Sequence, residues 1–292
     1  MQLTNNLNLP QPIVDAIAND SYSQGKSKIS ITSLIDPPQK VALQREHQDD
    51  IVEDASDMIY ALLGKSIHEI LDRESHNSGF ENHVYTEERL YGEFFGWTVS
   101  GQFDRLCDNV LQDYKIASVW EAIHGVKKDR IQQLNCYAHL IRENYIKQHW
   151  PEKLEIVYIF RDWQKSKAKF DPNYPQHQVQ IIDIPIWPPA EALCFINNRV
   201  RLHQEAQKGV KMLCTDEERW KDPTKWAVKK QGGKRAIKLY ENYEEAVAHV
   251  DQDKGLDLML EERPSIARRC EDYCSVALFC PQFQNENQME AA

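Results

Sequence analysis

The sequence predicts an α/β protein with a central mixed sheet flanked by helices, followed by a C-terminal hairpin and a helical, cysteine-containing extension. Three observations carry this prediction. Helical and strand-like segments alternate in the order helix, three strands, helix, two strands, helix, and such alternation is typical of helices packed on the faces of a sheet. A chain of 292 residues can bury a substantial core, as one elaborated domain or two small ones. A basic hairpin and three closely spaced cysteines come after the alternating region.

The first half of the chain supplies a long helix and the strands that lead to an acidic hairpin. The first fifty residues are polar and are interrupted by Asp36-Pro37-Pro38, so we expect an extended arm and a short helix there. Apolar residues recur at helical spacing between positions 51 and 73, which predicts one helix. Strands are predicted at 84–90 and 94–100, joined at Tyr91-Gly92-Glu93, and at 99–106 and 110–116.

The second half completes the alternation and adds the extension. A helix is predicted at 130–148, strands at 154–162 and 178–186, and a further helix at 189–208. A hairpin turning at Gly232-Gly233 and a short helix from 244 to 250 follow. We therefore predict three regions, namely an N-terminal arm with a short helix at 1–50, a core at 51–210 and an extension at 211–292.

Composition and charge narrow the class of protein. The net charge of −10 argues against a basic surface that coats nucleic acid throughout. A polyanion would have to be bound locally, and the basic runs are Lys127-Lys128-Asp129-Arg130 and Lys229-Lys230-Gln231-Gly232-Gly233-Lys234-Arg235. No run approaches the roughly 18 apolar residues of a membrane helix, and the first residues lack the pattern of a signal peptide. We expect a cytoplasmic protein without a membrane partner.

Two acids and a lysine converge on the predicted hairpin. Asp108-Asn109 suits a two-residue turn with positive φ angles. A turn centred there places Asp104 directly opposite Asp113, with Cβ atoms roughly 4.5–5.5 Å apart. Side chains alternate along a strand, so Lys115 emerges on the same face as Asp113. Like charges placed so closely destabilise a sheet unless a cation neutralises them, and this predicts a divalent metal site. A single Asp-x-Lys alone would be better explained as an exposed hairpin with scattered charges.

The predicted site has the components of metal-dependent hydrolysis. Carboxylates suit Mg²⁺ or Mn²⁺, which prefer oxygen ligands and retain bound waters. A lysine beside a metal-bound water lowers the pKa of that water and stabilises charge on a phosphoryl oxygen. The number of ions, one or two, is left open by the sequence.

The hairpin resembles that of the PD-(D/E)XK nuclease superfamily, and further motifs are similar to its RecB-like, phage-type exonuclease branch. Gly64-Lys-Ser-Ile-His68 is similar to the helical Gly-x-x-x-His of that branch, and Gln133-Leu-Asn-Cys-Tyr137 to its Gln-x-x-x-Tyr. The resemblance implies a restriction-endonuclease-like core. It also implies that metal is held by His68, Asp104, Asp113 and the Tyr114 carbonyl, that Lys115 activates water, and that Gln133 and Tyr137 orient the substrate strand.

Two weaker motifs extend the resemblance. Glu87, in Thr86-Glu-Glu-Arg-Leu, matches the family acid that orients the lysine or a metal-bound water. The C-terminal cysteines are similar to those of CRISPR-associated and other RecB-like nucleases, in which three C-terminal cysteines and one N-terminal cysteine hold a [4Fe-4S] cluster. The first spacing here is one residue longer, and no cysteine precedes Cys107. Iron–sulfur, zinc and no metal remain alternatives, with Asp36, Cys214, a histidine or solvent as fourth ligand; the three cysteines are Cys270, Cys274 and Cys280.

Together these features predict a Mg²⁺- or Mn²⁺-dependent DNA nuclease. By resemblance it is an exonuclease for recombination or end processing, acting on linear ends or single strands beside a recombination or single-strand-annealing protein, in the host cytoplasm if the chain is phage-encoded. The alternatives are a CRISPR-adaptation-type nuclease that trims ends and a noncatalytic DNA-binding scaffold. The complete set of acids disfavours the scaffold, because opposed carboxylates cost stability that a retired site need not retain.

Overall fold

The computed structural model describes residues 2–19, 23–77, 84–145, 147–253 and 255–290. The chain forms two compact units, Met1–Met212 and Leu213–Ala292. Both are mixed α/β assemblies of strands and helices. Among the described residues no helix is both long and apolar enough to cross a membrane.

The first unit alternates helices and strands, as the sequence predicts. Two short 3₁₀ turns, at Ala55–Met58 and Lys147–His149, join its elements. In chain order the helices and strands are β1 (Gln2–Thr4), α1 (Gln11–Ala18), β2 (Ile29–Ser30), α2 (Ile31–Ile35), α3 (Pro38–Glu46), β3 (Val52–Asp54), α4 (Ile59–Asn77), β4 (Val84–Thr86), β5 (Arg89–Phe94), β6 (Trp97–Gln102), β7 (Arg105–Cys107), β8 (Val110–Ala117), α5 (Val119–Ile123), α6 (Lys128–Asn144), β9 (Lys153–Phe160), α7 (Lys165–Phe170), β10 (Val179–Ile184) and α8 (Pro189–Gln207).

A mixed five-stranded sheet is the centre of this unit. Its strand order is β10-β9-β8-β7-β4, and β8 runs parallel to β9 while its other pairs are antiparallel. A second sheet, β2-β6-β5, is also mixed, because β2 runs parallel to β6. The helix α6 packs on α2, β5, β6 and α8 and contributes Leu134, Leu140 and Ile141 to the buried core. The predicted central mixed sheet flanked by helices is confirmed at this level.

The predicted strand at 99–106 is wrong in one important respect, because it is two strands in two sheets. β6 ends at Gln102 and pairs with β5 and β2, whereas β7 begins at Arg105 and pairs with β8 and β4. Phe103 and Asp104 lie between them, and the Phe103 side chain is buried in the core. The break places Asp104 at the junction of the two sheets, at the end of both.

The predicted turn at Tyr91-Gly92-Glu93 is also wrong. Those residues lie inside β5, and the chain reverses at Phe95-Gly96, where both φ angles are positive. Gly92 is needed for close packing instead: a Cβ there would lie 2.7 Å from the Phe94 ring and 2.9 Å from Leu140 of α6. A glycine within a strand is thus explained by a helix that approaches it.

The described residues among the first fifty form more regular structure than the predicted extended arm and short helix. β1 pairs in parallel with β3, and β2 adds an edge strand to the sheet of β6. Ser30 begins α2 as its N-cap, since its Oγ accepts a hydrogen bond from the Ser33 backbone N–H at 3.2 Å. Ile29, Ile31 and Leu34 are fully buried, so this segment is part of the core.

The second unit contains a three-stranded antiparallel sheet and two helices. Its elements are β11 (Lys225–Lys230), β12 (Ala236–Tyr240), α9 (Tyr243–Gln252), β13 (Leu258–Arg263) and α10 (Pro281–Glu290), with a π-helical turn at Arg269–Tyr273. The predicted hairpin is β11-β12. β13 pairs with the other edge of β11 and was not predicted, because its apolar run of three residues is too short to be recognised without a partner.

Candidate metal centre and cleft

The acidic hairpin forms as its turn residues predict. Asp108 and Asn109 have φ angles of 47° and 64°, the left-handed pair that a two-residue hairpin turn requires. The register pairs Cys107 with Val110 and continues through Arg105 opposite Gln112. One step further along this register sets position 104 opposite position 113, which was the predicted relation of the two acids.

Asp104 binds the neighbouring strand through its side chain. Because it lies beyond β7, its carboxylate turns toward β8, and Oδ2 accepts a hydrogen bond of 2.6 Å from the Tyr114 backbone N–H. Its other oxygen, Oδ1, lies 3.4 Å from Nδ1 of His68. The Asp104 carboxylate therefore contacts both β8 of the hairpin and His68 of α4.

Asp113 is a buried carboxylate with an incomplete set of partners. Only 2% of the residue is exposed, and its Oδ2 lies 2.5 Å from Nζ of Lys115. Apart from this ion pair, neither oxygen receives a well-formed hydrogen bond from the residues that the structure describes. Burial raises the pKa of Asp113, and the nearby Asp104 charge raises it further. The charges of Lys115 and Arg130 lower the pKa but do not cancel the effect of burial. A buried acid of this kind is stabilised by a second cation.

His68 is held by partners at both ring nitrogens. The helix α4 packs on β8, which brings Nε2 to 3.1 Å from the Tyr114 carbonyl oxygen. Nδ1 lies 3.4 Å from Oε1 of Glu87 and 3.4 Å from Oδ1 of Asp104. Burial alone lowers the pKa of His68, but the Asp104 and Glu87 carboxylates outweigh it and raise the pKa to about 10. The metal-free imidazole is protonated at neutral pH, so a metal ion bound through it displaces a proton.

Glu87 reaches the site from a strained backbone. Its φ of 49° is left-handed, and its N–H donates to the Asp104 carbonyl oxygen at 3.2 Å. Oε2 accepts a hydrogen bond of 2.8 Å from Nε2 of Gln102. The adjacent Glu88 instead accepts a hydrogen bond from the Tyr145 hydroxyl. The structure thus separates the two glutamates and brings Glu87, the one matched to the family acid, to His68.

These side chains form a candidate metal centre. One ligand atom each from His68, Glu87 and Asp104 lies within 4.8 Å of the others, and this is the one such group of three or more among the described residues. Two carboxylates and an imidazole suit Mn²⁺ well and Mg²⁺ with retained waters. The partly unsatisfied Asp113 beside them supplies the negative charge that a divalent ion would neutralise. The residues present therefore fit a divalent metal.

The centre opens into a cleft of about 870 Å³ in the first unit. Gly64 and Lys65 of α4 line it, as does Lys115 of β8. Gln133 and Tyr137 of α6 also line the cleft. Both are largely buried, and Gln133 Nε2 donates to the Tyr137 hydroxyl at 2.8 Å. The predicted i, i+4 pair thus faces the cleft as a hydrogen-bonded unit.

Sequence reasoning missed the residues that link the cleft wall to the metal centre. The Arg89 guanidinium lines the cleft and donates to Oε1 of Gln102 at 2.5 Å and to Oγ of Ser100 at 3.3 Å. Gln102 in turn donates to Glu87, so a chain of hydrogen bonds runs from Arg89 to the candidate ligands. A usable signal was present, since Gln102 lies two residues before Asp104 on a predicted strand and Lys65 lies inside the Gly64–His68 motif.

The cysteines do not form a comparable centre. Cys270, Cys274 and Cys280 all lie in the second unit, as does Cys214, but no three of the described cysteine sulfurs fall within 4.8 Å of one another. Burial raises the pKa of Cys214 to about 12 and raises the pKa of Cys270. Asp36, a proposed fourth ligand, pairs with Lys40 at 2.7 Å. The described cysteine sulfurs therefore give no support for an iron–sulfur cluster, and the alternatives of iron–sulfur, zinc and no metal stay open.

Part of this chain resembles known protein structures in its fold. No family model and no curated protein sequence matches this chain. The crystal structure of SSO0001 aligns with 65% of this chain and 83% of its own length, at 18% identity and a TM-score of 0.44. A phage-related exonuclease from Haemophilus somnus 129PT aligns with 52% of this chain and 71% of its own, at 16% identity and a TM-score of 0.34.

Proposed function

We propose that this protein is a metal-dependent deoxyribonuclease that hydrolyses phosphodiester bonds with Mg²⁺ or Mn²⁺. One observation carries the proposal. A buried, incompletely paired Asp113, with Lys115 in contact, lies beside the converging ligand atoms of His68, Glu87 and Asp104 at an open cleft. Holding these charges together costs free energy unless a cation or a charged substrate neutralises them. A metal-dependent nuclease binds both a cation and a charged substrate at such a site.

The roles of the residues follow from their positions. His68, Asp104, Asp113 and the Tyr114 carbonyl would hold the metal, with Glu87 as a further acid. The ion itself would supply Lewis-acid activation of the phosphate and of a bound water. Lys115 lies where its ammonium can orient the attacking water and stabilise charge on a phosphoryl oxygen.

Substrate contacts come from the walls of the cleft. Lys65 and Arg89 bring positive charge to the cleft of a chain whose net charge is −10, which suits recognition of phosphates inside the cleft and not over the whole surface. Gln133 and Tyr137 lie where they can orient the scissile strand, the hydroxyl of Tyr137 being oriented by Gln133. These contacts can be made to any sequence, because they address the backbone.

The proposal extends to the type of nuclease. The order of the site residues along the chain, from His68 through Lys115 to Tyr137, supports a restriction-endonuclease-like core and an exonuclease of the RecB-like, phage type. Its substrate would be linear DNA ends or single strands, and its partner a recombination or single-strand-annealing protein.

The test is a cleavage assay on end-labelled linear DNA and on covalently closed circular DNA. We expect wild type to degrade the linear substrate with Mg²⁺ or Mn²⁺ and not with EDTA, and Asp113→Ala and Lys115→Ala to lose at least 100-fold of the rate. Glu88→Gln is the matched control for Glu87→Gln, since Glu88 is directed to Tyr145. Equal cleavage by wild type and Asp113→Ala, or none by either, would refute the proposal.

A structural metal at Cys270, Cys274 and Cys280 is a separate proposal that rests on the sequence pattern. Metal analysis of the purified protein, with its visible absorbance, distinguishes the cases. Iron with the brown colour of a cluster indicates iron–sulfur, zinc in a colourless sample indicates a zinc site, and normal folding without either metal ends the proposal.

A further inference from the structure

One edge of the first unit presents exposed aromatic rings that the proposed reaction does not use. The parallel strands β8 and β9 end at this edge, just beyond Lys115. The two chain segments that leave them are joined by hydrogen bonds from the Arg161 N–H to the Ala117 carbonyl oxygen at 3.0 Å and from the Val119 N–H to Asp162 Oδ1 at 2.8 Å. These two hydrogen bonds tie together the segments that follow β8 and β9.

Two aromatic groups project from this edge. Trp120 of α5 is 56% exposed and is stacked with the His124 ring, with centroids 5.8 Å apart and planes inclined by 19°. Tyr60 at the start of α4 is 61% exposed, and the Arg161 guanidinium lies 4.3 Å from the centre of its ring. Tyr60 directly precedes Ala61, which lines the cleft. We call Tyr60, Trp120, His124 and Arg161 the aromatic platform.

The charges around the platform favour a polyanion. Arg161 is part of it, and the acid on α5, Glu121, is paired with Lys127 at 3.3 Å and with Arg130 at 3.5 Å. The Asp162 carboxylate is occupied by Ser118 and by the Val119 N–H. Flat rings beside cationic groups are the combination that binds bases and phosphates of an unpaired strand, since every base has a π face.

We propose that the aromatic platform binds the unpaired nucleotides of a single DNA strand that enters or leaves the cleft. This inference rests on the proposed nuclease function for the identity of the polymer. Duplex DNA cannot use the platform in the same way, because its bases are already stacked on one another. The platform thus gives the cleft a preference for single-stranded ends.

The test measures binding of a fluorescent oligodeoxythymidylate and of a blunt duplex of equal length, in EDTA to prevent cleavage. Trp120→Leu keeps an apolar side chain without a flat face, and Trp120→Phe keeps the flat face. We expect Trp120→Leu and Tyr60→Leu each to weaken binding of the single strand by about 10-fold, Trp120→Phe to retain most of the affinity, and duplex binding to change less than twofold.

Phe95→Leu is the matched control, because Phe95 is also 56% exposed and also lies under an arginine, Arg201, at 5.8 Å. Unchanged single-strand affinity in Trp120→Leu and Tyr60→Leu overturns the inference. That result is the one expected if the platform instead docks another protein. Equal losses in Phe95→Leu, or equal losses for duplex, also overturn it. Cleavage by wild type separates the two proposals: binding that depends on Trp120, in a wild-type protein that cleaves no DNA with Mg²⁺ or Mn²⁺, leaves the platform valid and the proposed chemistry wrong.

Discussion

Replacing Gly64 with alanine should make the protein more stable and the nuclease less active. Gly64 lies inside α4, where a glycine costs about 1 kcal/mol relative to alanine. No packing explains it, because a Cβ built at this position meets no atom within 4 Å. The residue does line the cleft, one helical turn before His68. On the proposed function, we expect the DNA backbone to approach this position closely.

The expected magnitudes follow from these facts. The free energy of unfolding of the first unit should rise by about 1 kcal/mol, which corresponds to an increase in Tm of about 2–4 °C for a unit of this size. The added methyl group would displace the strand from the catalytic groups, and a misplacement of about 1 Å can lower the rate by about 100-fold. We therefore expect kcat/KM to fall by at least 10-fold while stability increases.

Two measurements check this, namely thermal unfolding by circular dichroism and initial rates on end-labelled DNA. Ser66→Ala is the matched control, because Ser66 is exposed on the same helix and its hydroxyl bonds the Leu62 carbonyl oxygen. That variant should gain a few tenths of a kcal/mol and retain full activity. A Gly64→Ala protein that cleaves as fast as wild type would show that the strand does not pass this wall, and one that unfolds at a lower temperature would refute the packing argument.

Four further predictions concern packing, the pH dependence of metal affinity and of stability, and the adjacent glutamates. Gly101→Ala should lower the free energy of unfolding by about 1–3 kcal/mol in urea titrations, because the new Cβ would lie 2.8 Å from the Tyr137 ring. Mn²⁺ affinity, measured by calorimetry, should rise about tenfold per pH unit from neutral pH toward about pH 10 and then level off, since the pKa of His68 is raised to about 10 and the metal displaces its proton; a pH-independent affinity over this range would exclude His68 as a ligand. Without metal, the stabilisation that His68 gains from its acids should be fully present below pH about 6.5 and be lost as the pH rises through about 10. Glu87→Gln should lower Mn²⁺ affinity about 10-fold or more, whereas Glu88→Gln should leave it unchanged, and equal effects would remove Glu87 from the ligand set.

Local sequence alone determined the parts of the site that depend on neighbours along the chain. The Asp108-Asn109 pair sets a two-residue turn because both residues tolerate positive φ, and that turn sets the register of Asp113 and Lys115 on β8. The spacing of Gln133 and Tyr137 sets them on one face of α6, where they bond each other. These relations extend over at most ten residues, and short-range geometry is enough to predict them.

The cysteine pattern shows where such reasoning ends. Three cysteines within eleven positions suggest a metal site, yet no three of the described cysteine sulfurs lie within 4.8 Å of one another. The chain around them forms a π-helical turn and a short 3₁₀ turn. Spacing along the chain does not set the distance between ligands when the backbone between them is irregular.

The tertiary structure decided how the acids meet the histidine. The predicted strand is interrupted at Phe103 and Asp104, and its two halves belong to different sheets. The interruption turns the Asp104 carboxylate toward the Tyr114 N–H. Packing of α4 on β8 brings His68 to that point, and the left-handed backbone of Glu87 completes the group. Each of these contacts joins residues from different elements. The sequence alone therefore determined which residue types were available and which short elements carry them, whereas their convergence required the packing of two sheets and a helix, which no local pattern encodes.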